Sequence, residues 1–329
     1  MKQYSNLQDW KSAILSGDRV ALARAITLVE STNEIQLEQA AELLALCSDS
    51  AGGSQRIGIT GVPGVGKSTF IDAFGSELTK QGKKVAVLAV DPSSDISRGS
   101  ILGDKTRMDR LSADDNAFIR PTASSGSLGG VARKTRETIT LCEAAGFDII
   151  LIETVGVGQS ETAVHSMVDM FVLLVLATAG DELQGIKRGI MEMADLVVIN
   201  KDDGDNANYT KLAQASYHQA LHMFPAKDSN WTVPVRSCSS INGNGMEQVL
   251  SSVESFFNHI SVSGFLQENR SRQNGFWLKA AISEELNHQF YNHSAVKARL
   301  KQLELAVKEG TISPFVAAQQ LIKNWTYKS

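Results

Sequence analysis

No stretch of this sequence stays apolar for long. The longest such run, residues 170–177, is far too short to cross a bilayer, and residues 1–18 are too polar for a secretory signal. A cytoplasmic protein with no membrane partner is therefore expected. Basic charge is not in excess either: 32 Lys and Arg stand against 36 Asp and Glu, a formal net charge of -4, which disfavours a nucleic-acid partner. Cysteine is scarce. Cys47, Cys142 and Cys238 lie far apart and form no CxxC pair, which suits structural thiols in a reducing compartment and argues against a zinc site. The six histidines are scattered, and only His218 and His222 share a helix face at i,i+4, where a solvated pair is a simpler reading than a ligand set. There is no internal repeat and no low-complexity segment.

What is present is the composition of a globular chain, 329 residues with 43% apolar and 21% charged, enough for one large or roughly two ordinary domains. Between residues 13 and 46 apolar side chains recur at helical spacing, as in Leu22, Ala25, Ile26 and Val29 and then Leu37, Ala40, Ala41 and Leu44. A polar stretch at 48–54 reads as flexible and marks a candidate boundary. After it, short β-rich apolar runs at 57–60, 84–90, 117–120, 147–152, 170–177, 196–200 and 233–237 alternate with helical segments. That alternation predicts an α/β fold, a doubly wound, mostly parallel sheet. Continuous rather than alternating apolarity in several runs fits strands covered on both faces. Ligands of such sheets bind at the carboxyl ends of the strands. Beyond about residue 261 the strands stop, and helices are expected at 276–291, 294–309 and 314–325.

The chemistry begins where the first strand ends. Gly61-Val62-Pro63-Gly64-Val65-Gly66-Lys67-Ser68 fits GxxxxGK[ST] between a strand and a helix, the pattern of a P-loop NTPase. Glycines let the backbone wrap phosphate oxygens, and the following helix start, with Thr69 in its first turn, adds positive potential. Lys67 is expected to bridge the β- and γ-phosphates and the Ser68 hydroxyl to ligate Mg2+. Magnesium keeps several waters that carboxylates must orient. Asp91 at the end of the second strand, Glu153 at the end of the fourth and Asp104 in the loop 98–105 are the candidates.

Glu153-Thr154-Val155-Gly156 places an acid three residues before a glycine, as a γ-phosphate switch does. The next residue is Val157, where Ras-like proteins carry a water-orienting glutamine, so slow intrinsic turnover is expected unless Gln159, Asp104 or a partner positions the water. Asn200-Lys201-Asp202-Asp203 follows the strand at 196–200 and matches NKxD. A carboxylate at Asp203 can accept two hydrogen bonds from guanine N1–H and the 2-amino group, a pattern adenine lacks, so GTP is the expected substrate and GDP the product. Cys238-Ser239-Ser240 is the expected loop whose backbone N–H meets guanine O6.

These motifs, together with Val90-Asp91-Pro92-Ser93-Ser94, the stretch from Arg98 to Met108 and Glu153-Thr154-Val155-Gly156-Val157-Gly158-Gln159-Ser160-Glu161, closely resemble the MeaB/ArgK family of G proteins. The resemblance implies a homodimeric SIMIBI-class GTPase that binds methylmalonyl-CoA mutase, protects it and gates loading or exchange of its adenosylcobalamin. It implies phosphate or magnesium roles for Lys67, Ser68, Asp91, Asp104 and Glu153, and a base-holding role for Asn200, Lys201 and Asp203. Asp202 and Ser240 depart from the family pattern, where relatives often carry alanine; neither change should remove guanine binding. The small-residue segment 121–130 also looks like the family's and reads as a mobile connection between sheet and helix. The expected organisation is a helical N-terminal extension at 1–53, a G domain at 54–260 and a helical dimerisation region at 261–329. Two other readings use the same loop: a kinase linked to arginine and ornithine transport, and a nickel metallochaperone GTPase. The guanine reader disfavours the first, because most kinases use ATP, and the scattered histidines disfavour the second.

Overall fold

The computed structural model describes residues 6–90, 108–122, 128–154, 160–177, 188–203 and 207–326. Three helices come first, α1 (Leu7–Leu15), α2 (Arg19–Val29) and α3 (Glu34–Ser48). Each starts on a side-chain cap: Asn6 accepts from the Asp9 N–H, Asp18 from those of Val20 and Ala21, and Asn33 from that of Gln36. Such a cap stabilises a helix start by about 1 kcal/mol.

The sheet region follows as β1 (Gln55–Gly61), α4 (Lys67–Lys80), β2 (Val85–Val90), α5 (Asp109–Ser112), β3 (Ala117–Thr122), α6 (Leu128–Ala144) and β4 (Ile149–Thr154). It continues with α7 (Ser160–His165), β5 (Met170–Leu176), α8 (Arg188–Met193), β6 (Leu196–Asn200), α9 (Ala207–Leu221), β7 (Val235–Ser237) and α10 (Met246–Val262). Last come α11 (Phe265–Asn292), α12 (Ser294–Lys308) and α13 (Pro314–Thr326).

The seven strands form one sheet in the order β3-β2-β4-β1-β5-β6-β7. Every pairing in it is parallel. Side chains alternate across a strand, so Ile57, Ile59, Val85, Val87, Leu151, Val172, Leu174 and Val198 meet α4 and α10 in one core, with Phe70, Phe74, Val249 and Phe256. The intervening residues Ala86, Leu88, Ile150, Ile152, Leu173, Val197 and Ile199 are buried as well, on the opposite face. Burial on both faces is why the runs read as continuous in the sequence. On that second face Gly58 leaves no room for a side chain, since an added Cβ would sit 2.9 Å from the Phe171 ring. The N-terminal helices bury Leu22, Ala25, Ile26, Leu43 and Cys47 and pack along α6.

Glu153 is the last residue but one of β4, at its carboxyl end, opposite Ile59 of β1 and Ala89 of β2. Two expectations need correction. The stretch 48–54 is pinned rather than flexible: the Gly52 N–H donates to Glu143 Oε2 at 2.9 Å, and the Gly52 and Ser54 carbonyls accept from Arg270. Finally, α11 begins at Phe265, not near residue 276. Phe265 and Leu266 in its first turn pack on the core, and the turns after them carry no apolar stripe. They are held by polar contacts instead, with Arg270 donating Nε and Nη2 to the fully buried Asp169 carboxylate at 2.8 and 2.6 Å and Gln273 Nε2 donating to the Val168 carbonyl at 2.7 Å. Of the 121–130 segment, Pro121 and Thr122 close β3 and Leu128–Gly130 open α6.

The chain divides into two compact units, Met1–Gln273 and Asn274–Ser329. The first holds α1 to α3 and the whole sheet. The second has its own small core of Val296, Leu303, Ala317 and Leu321, with Phe290 edge-to-face on Trp325 at 5.3 Å.

Candidate nucleotide site

The carboxyl end of β1 runs straight into the phosphate loop. Gly61 passes so close to β5 that an added Cβ would lie 2.5 Å from the Leu174 carbonyl oxygen. Val65 is fully buried and anchors the loop in the core, whereas Pro63 and Gly64 stand exposed at its crest. Val62 packs half-buried on the core, and Thr69 is exposed in the first turn of α4. Gly66 turns the chain into the helix at φ 93°, a left-handed conformation that side chains rarely adopt. No side chain caps α4. Its first-turn N–H groups and its dipole therefore face the loop's concave side without a competing carboxylate, as an anion site requires.

Lys67 folds back over the loop and donates Nζ to the Gly61 carbonyl at 2.8 Å. Burial lowers its pKa, against the opposing pull of Glu153 and Glu161. Ser68 lies one residue on, its Oγ 3.2 Å from Glu153 Oε1. Glu153 is buried at 7% exposure, and Thr154 beside it donates Oγ1 to Thr60 Oγ1 at 2.9 Å, tying β4 to β1 at the same level. A hydroxyl and a buried carboxylate in contact are hard oxygen donors of the kind magnesium takes. Ser68 and Glu153 therefore fit such an ion. Asp91, Asp104, Gly156, Val157 and Gln159 lie outside the described residues.

The base-reading segments grip this loop from the other side. Asn200, buried at the end of β6, donates Nδ2 to the Val65 carbonyl at 2.8 Å, and Lys201 donates Nζ to the Gly64 carbonyl at 2.9 Å. Lys201 itself sits at φ 62°, which turns the chain off the strand. Gly66 completes the fit: a Cβ there would come 2.9 Å from Asn200 Nδ2. After β7, the loop curls back with Ser239 N–H donating to the Asn244 carbonyl at 2.9 Å and Gly243 N–H to that of Ser239 at 2.8 Å. Ser239 Oγ donates to Asp203 Oδ2 at 2.8 Å, which fixes the carboxylate. Ser240 Oγ donates to Asn200 Oδ1 at 2.7 Å, while its N–H stands 3.4 Å from the same atom. The Ser239 N–H is thus occupied within the loop, whereas the Ser240 N–H makes the longer bond to Asn200 Oδ1.

The sequence reading assigned no role to Glu161, which is buried at 3% exposure and shares its charge with Glu153 in the field around Lys67. Its signal was only its place in the switch motif. Nor did it foresee Asn244 as the residue that closes the guanine loop. His218 and His222 pack ring on ring at 4.7 Å and line a cavity of about 310 Å³ with Glu192, Phe224, Lys227 and Trp231, beside the amino ends of β6 and β7 and away from the phosphate loop. Among the described residues no group of three His, Cys, Asp or Glu is placed to hold a metal ion, and no helix is long and apolar enough to cross a membrane. The three cysteines are buried and free, and burial raises the pKa of Cys238 to about 12.

A phosphate loop and a purine-reading segment interlocked on an all-parallel sheet define a P-loop GTPase. The chain belongs to the MeaB family: the family model described as methylmalonyl Co-A mutase-associated GTPase MeaB matches residues 22–295. It is similar to the GTPase ArgK of Escherichia coli K12, 48% identical over 306 residues that cover 93% of this chain and 92% of that one. A mouse protein named methylmalonic aciduria type A homolog, mitochondrial, is 48% identical over 322 residues, 95% of this chain and 78% of its own length. Among solved structures, one titled LAO/AO transport system kinase matches with a TM-score of 0.77 at 38% identity, covering 99% of both chains.

Proposed function

We propose that this GTPase is a nucleotide-driven chaperone of methylmalonyl-CoA mutase, protecting that enzyme and gating the loading or exchange of its adenosylcobalamin. The observation that carries the switch part is the direct clasp between Asn200, Lys201 and the phosphate loop, which makes one unit of the base and phosphate grips. The partner rests on the family and on the name of the mouse relative. In this reading Gly61 to Thr69 cradle the phosphates, Lys67 leaves the Gly61 carbonyl to meet them, and Ser68 and Glu153 hold Mg2+ with Asp91 and Asp104. The ion would screen phosphate charge and orient water. Asp203 Oδ1 and the Ser240 N–H read guanine, and Gly156 reports the γ-phosphate. Asp104, Glu153 and Gln159 are the groups available to orient the attacking water. The working state is a cytoplasmic homodimer.

Capture from cell extract on GTP-loaded and GDP-loaded protein tests the partner. The methylmalonyl-CoA mutase should be enriched in a nucleotide-dependent amount. Recovery of no cobalamin enzyme in either state would remove the chaperone role while leaving the GTPase intact.

A further inference from the structure

A charged contact outside the sequence motifs joins the phosphate-loop helix to the guanine loop. Asp72 lies one helical turn beyond Ser68 on α4, and its side chain is only 8% exposed. A carboxylate so placed is costly unless its oxygens are satisfied. Oδ1 accepts the Leu111 N–H at 2.9 Å, and Oδ2 accepts Arg110 Nε at 2.8 Å. Leu111 is fully buried and sits so close to α4 that a Cβ added at Gly75 would lie 2.7 Å from its Cδ2. The Leu111 contacts dock α5 on α4. The Arg110 guanidinium does something more: with Nε fixed on Asp72, its Nη2 reaches the Ser240 carbonyl at 3.5 Å.

We infer that Arg110 is a positioning residue for guanine: anchored on Asp72, it holds the Ser240 carbonyl and so steadies the backbone of the loop whose Ser240 N–H is assigned to the base oxygen. The physical need lies in the loop itself. Ser239 to Asn244 is a short turn closed by Ser239 and Asn244, and the Ser240 side chain is tied to Asn200 and to Cys238. A planar, always charged donor can grip a carboxylate with one nitrogen and a carbonyl with another, which a lysine ammonium on a flexible stem does poorly. The guanidinium is 55% exposed and the second contact is long, so the effect is modest, about threefold in discrimination.

The inference rests on the guanine loop as read above, and the test separates the two. GDP, inosine diphosphate and 2-aminopurine riboside diphosphate are titrated into wild type, Arg110→Ala and Arg110→Lys. 2-Aminopurine lacks both O6 and the N1–H, and inosine lacks only the 2-amino group, so a loss of preference confined to the first comparison reports the O6 contact, whereas a loss in both reports Asp203. Wild type should prefer GDP in both comparisons. Arg110→Ala should lose about threefold of the O6 preference and keep the other, and Arg110→Lys should restore the melting temperature but not the O6 preference. If wild type shows no O6 preference, the loop assignment itself fails. If wild type shows it and folded Arg110→Ala retains it in full, Arg110 only docks α5 and the inference is overturned.

Discussion

At the scale of single residues, the site is decided by which hydrogen-bonding atoms are already occupied. Asp203 has one oxygen held by Ser239, and in the proposed reading the other accepts from the base. Replacing it with Asn turns that acceptor into a donor, so Asp203→Asn should bind GTP at least ~100-fold more weakly and accept xanthine nucleotides instead, as competition binding would reveal. Unchanged GTP affinity would refute the base assignment. Lys67 carries a second expectation. Its pKa is lowered in the free protein by burial, and phosphate anions favour its charged form. Binding in the window above the free pKa must therefore take up a proton, and affinity must fall as pH rises through it. Calorimetry at alkaline pH in buffers of different ionisation heat measures that uptake; heats independent of buffer would contradict it. Ser240 illustrates a departure from the expected family pattern that the fold absorbs, because its extra hydroxyl holds Asn200.

Elements in this chain are set by two kinds of force, and only one leaves a periodic trace. The strands and the N-terminal helices were legible because apolar residues recur at the period of the element. The start of α11 was misplaced because only Phe265 and Leu266 mark it before a polar run. Arg270 and Gln273 hold α11 through a buried carboxylate and main-chain carbonyls, and such partners are remote in sequence. Arg270→Ala leaves Asp169 charged and fully buried with the Arg56 N–H as its remaining hydrogen-bond donor among the described residues, and should cost about 3 to 5 kcal/mol in urea unfolding. Arg272→Ala, which breaks the exposed pair with Asp228, should cost less than about 1 kcal/mol. Equal losses would show that the Asp169 network does not carry the helix.

For the whole molecule, the second unit poses the question of what it associates with. Leu278, Ile282 and Leu286 repeat at i, i+4 and i+8 along α11 and are 63%, 50% and 49% exposed. Phe276 and Tyr291 on the same helix are exposed as well. Apolar side chains in a row of this length mark an interaction face rather than scattered surface residues. With the proposed homodimer, sedimentation should report twice the mass of one chain, and Ile282→Asp should shift the population to single chains without altering GDP affinity. A wild-type protein that sediments as one chain at all concentrations would exclude the dimer.

The amino-acid sequence alone determined the parallel α/β class, the phosphate loop and the guanine motif, because these depend on local period, on glycine at fixed offsets and on residue types at strand ends. Tertiary structure decided the rest. That Lys67 rests on the Gly61 carbonyl, that Asn200 grips the phosphate loop, that Ser239 spends its N–H on Asn244, and that Asp72 meets Arg110 are matters of distance between segments far apart in the chain. No local pattern encodes such distances; they are fixed only when the sheet register brings the strand ends to one edge.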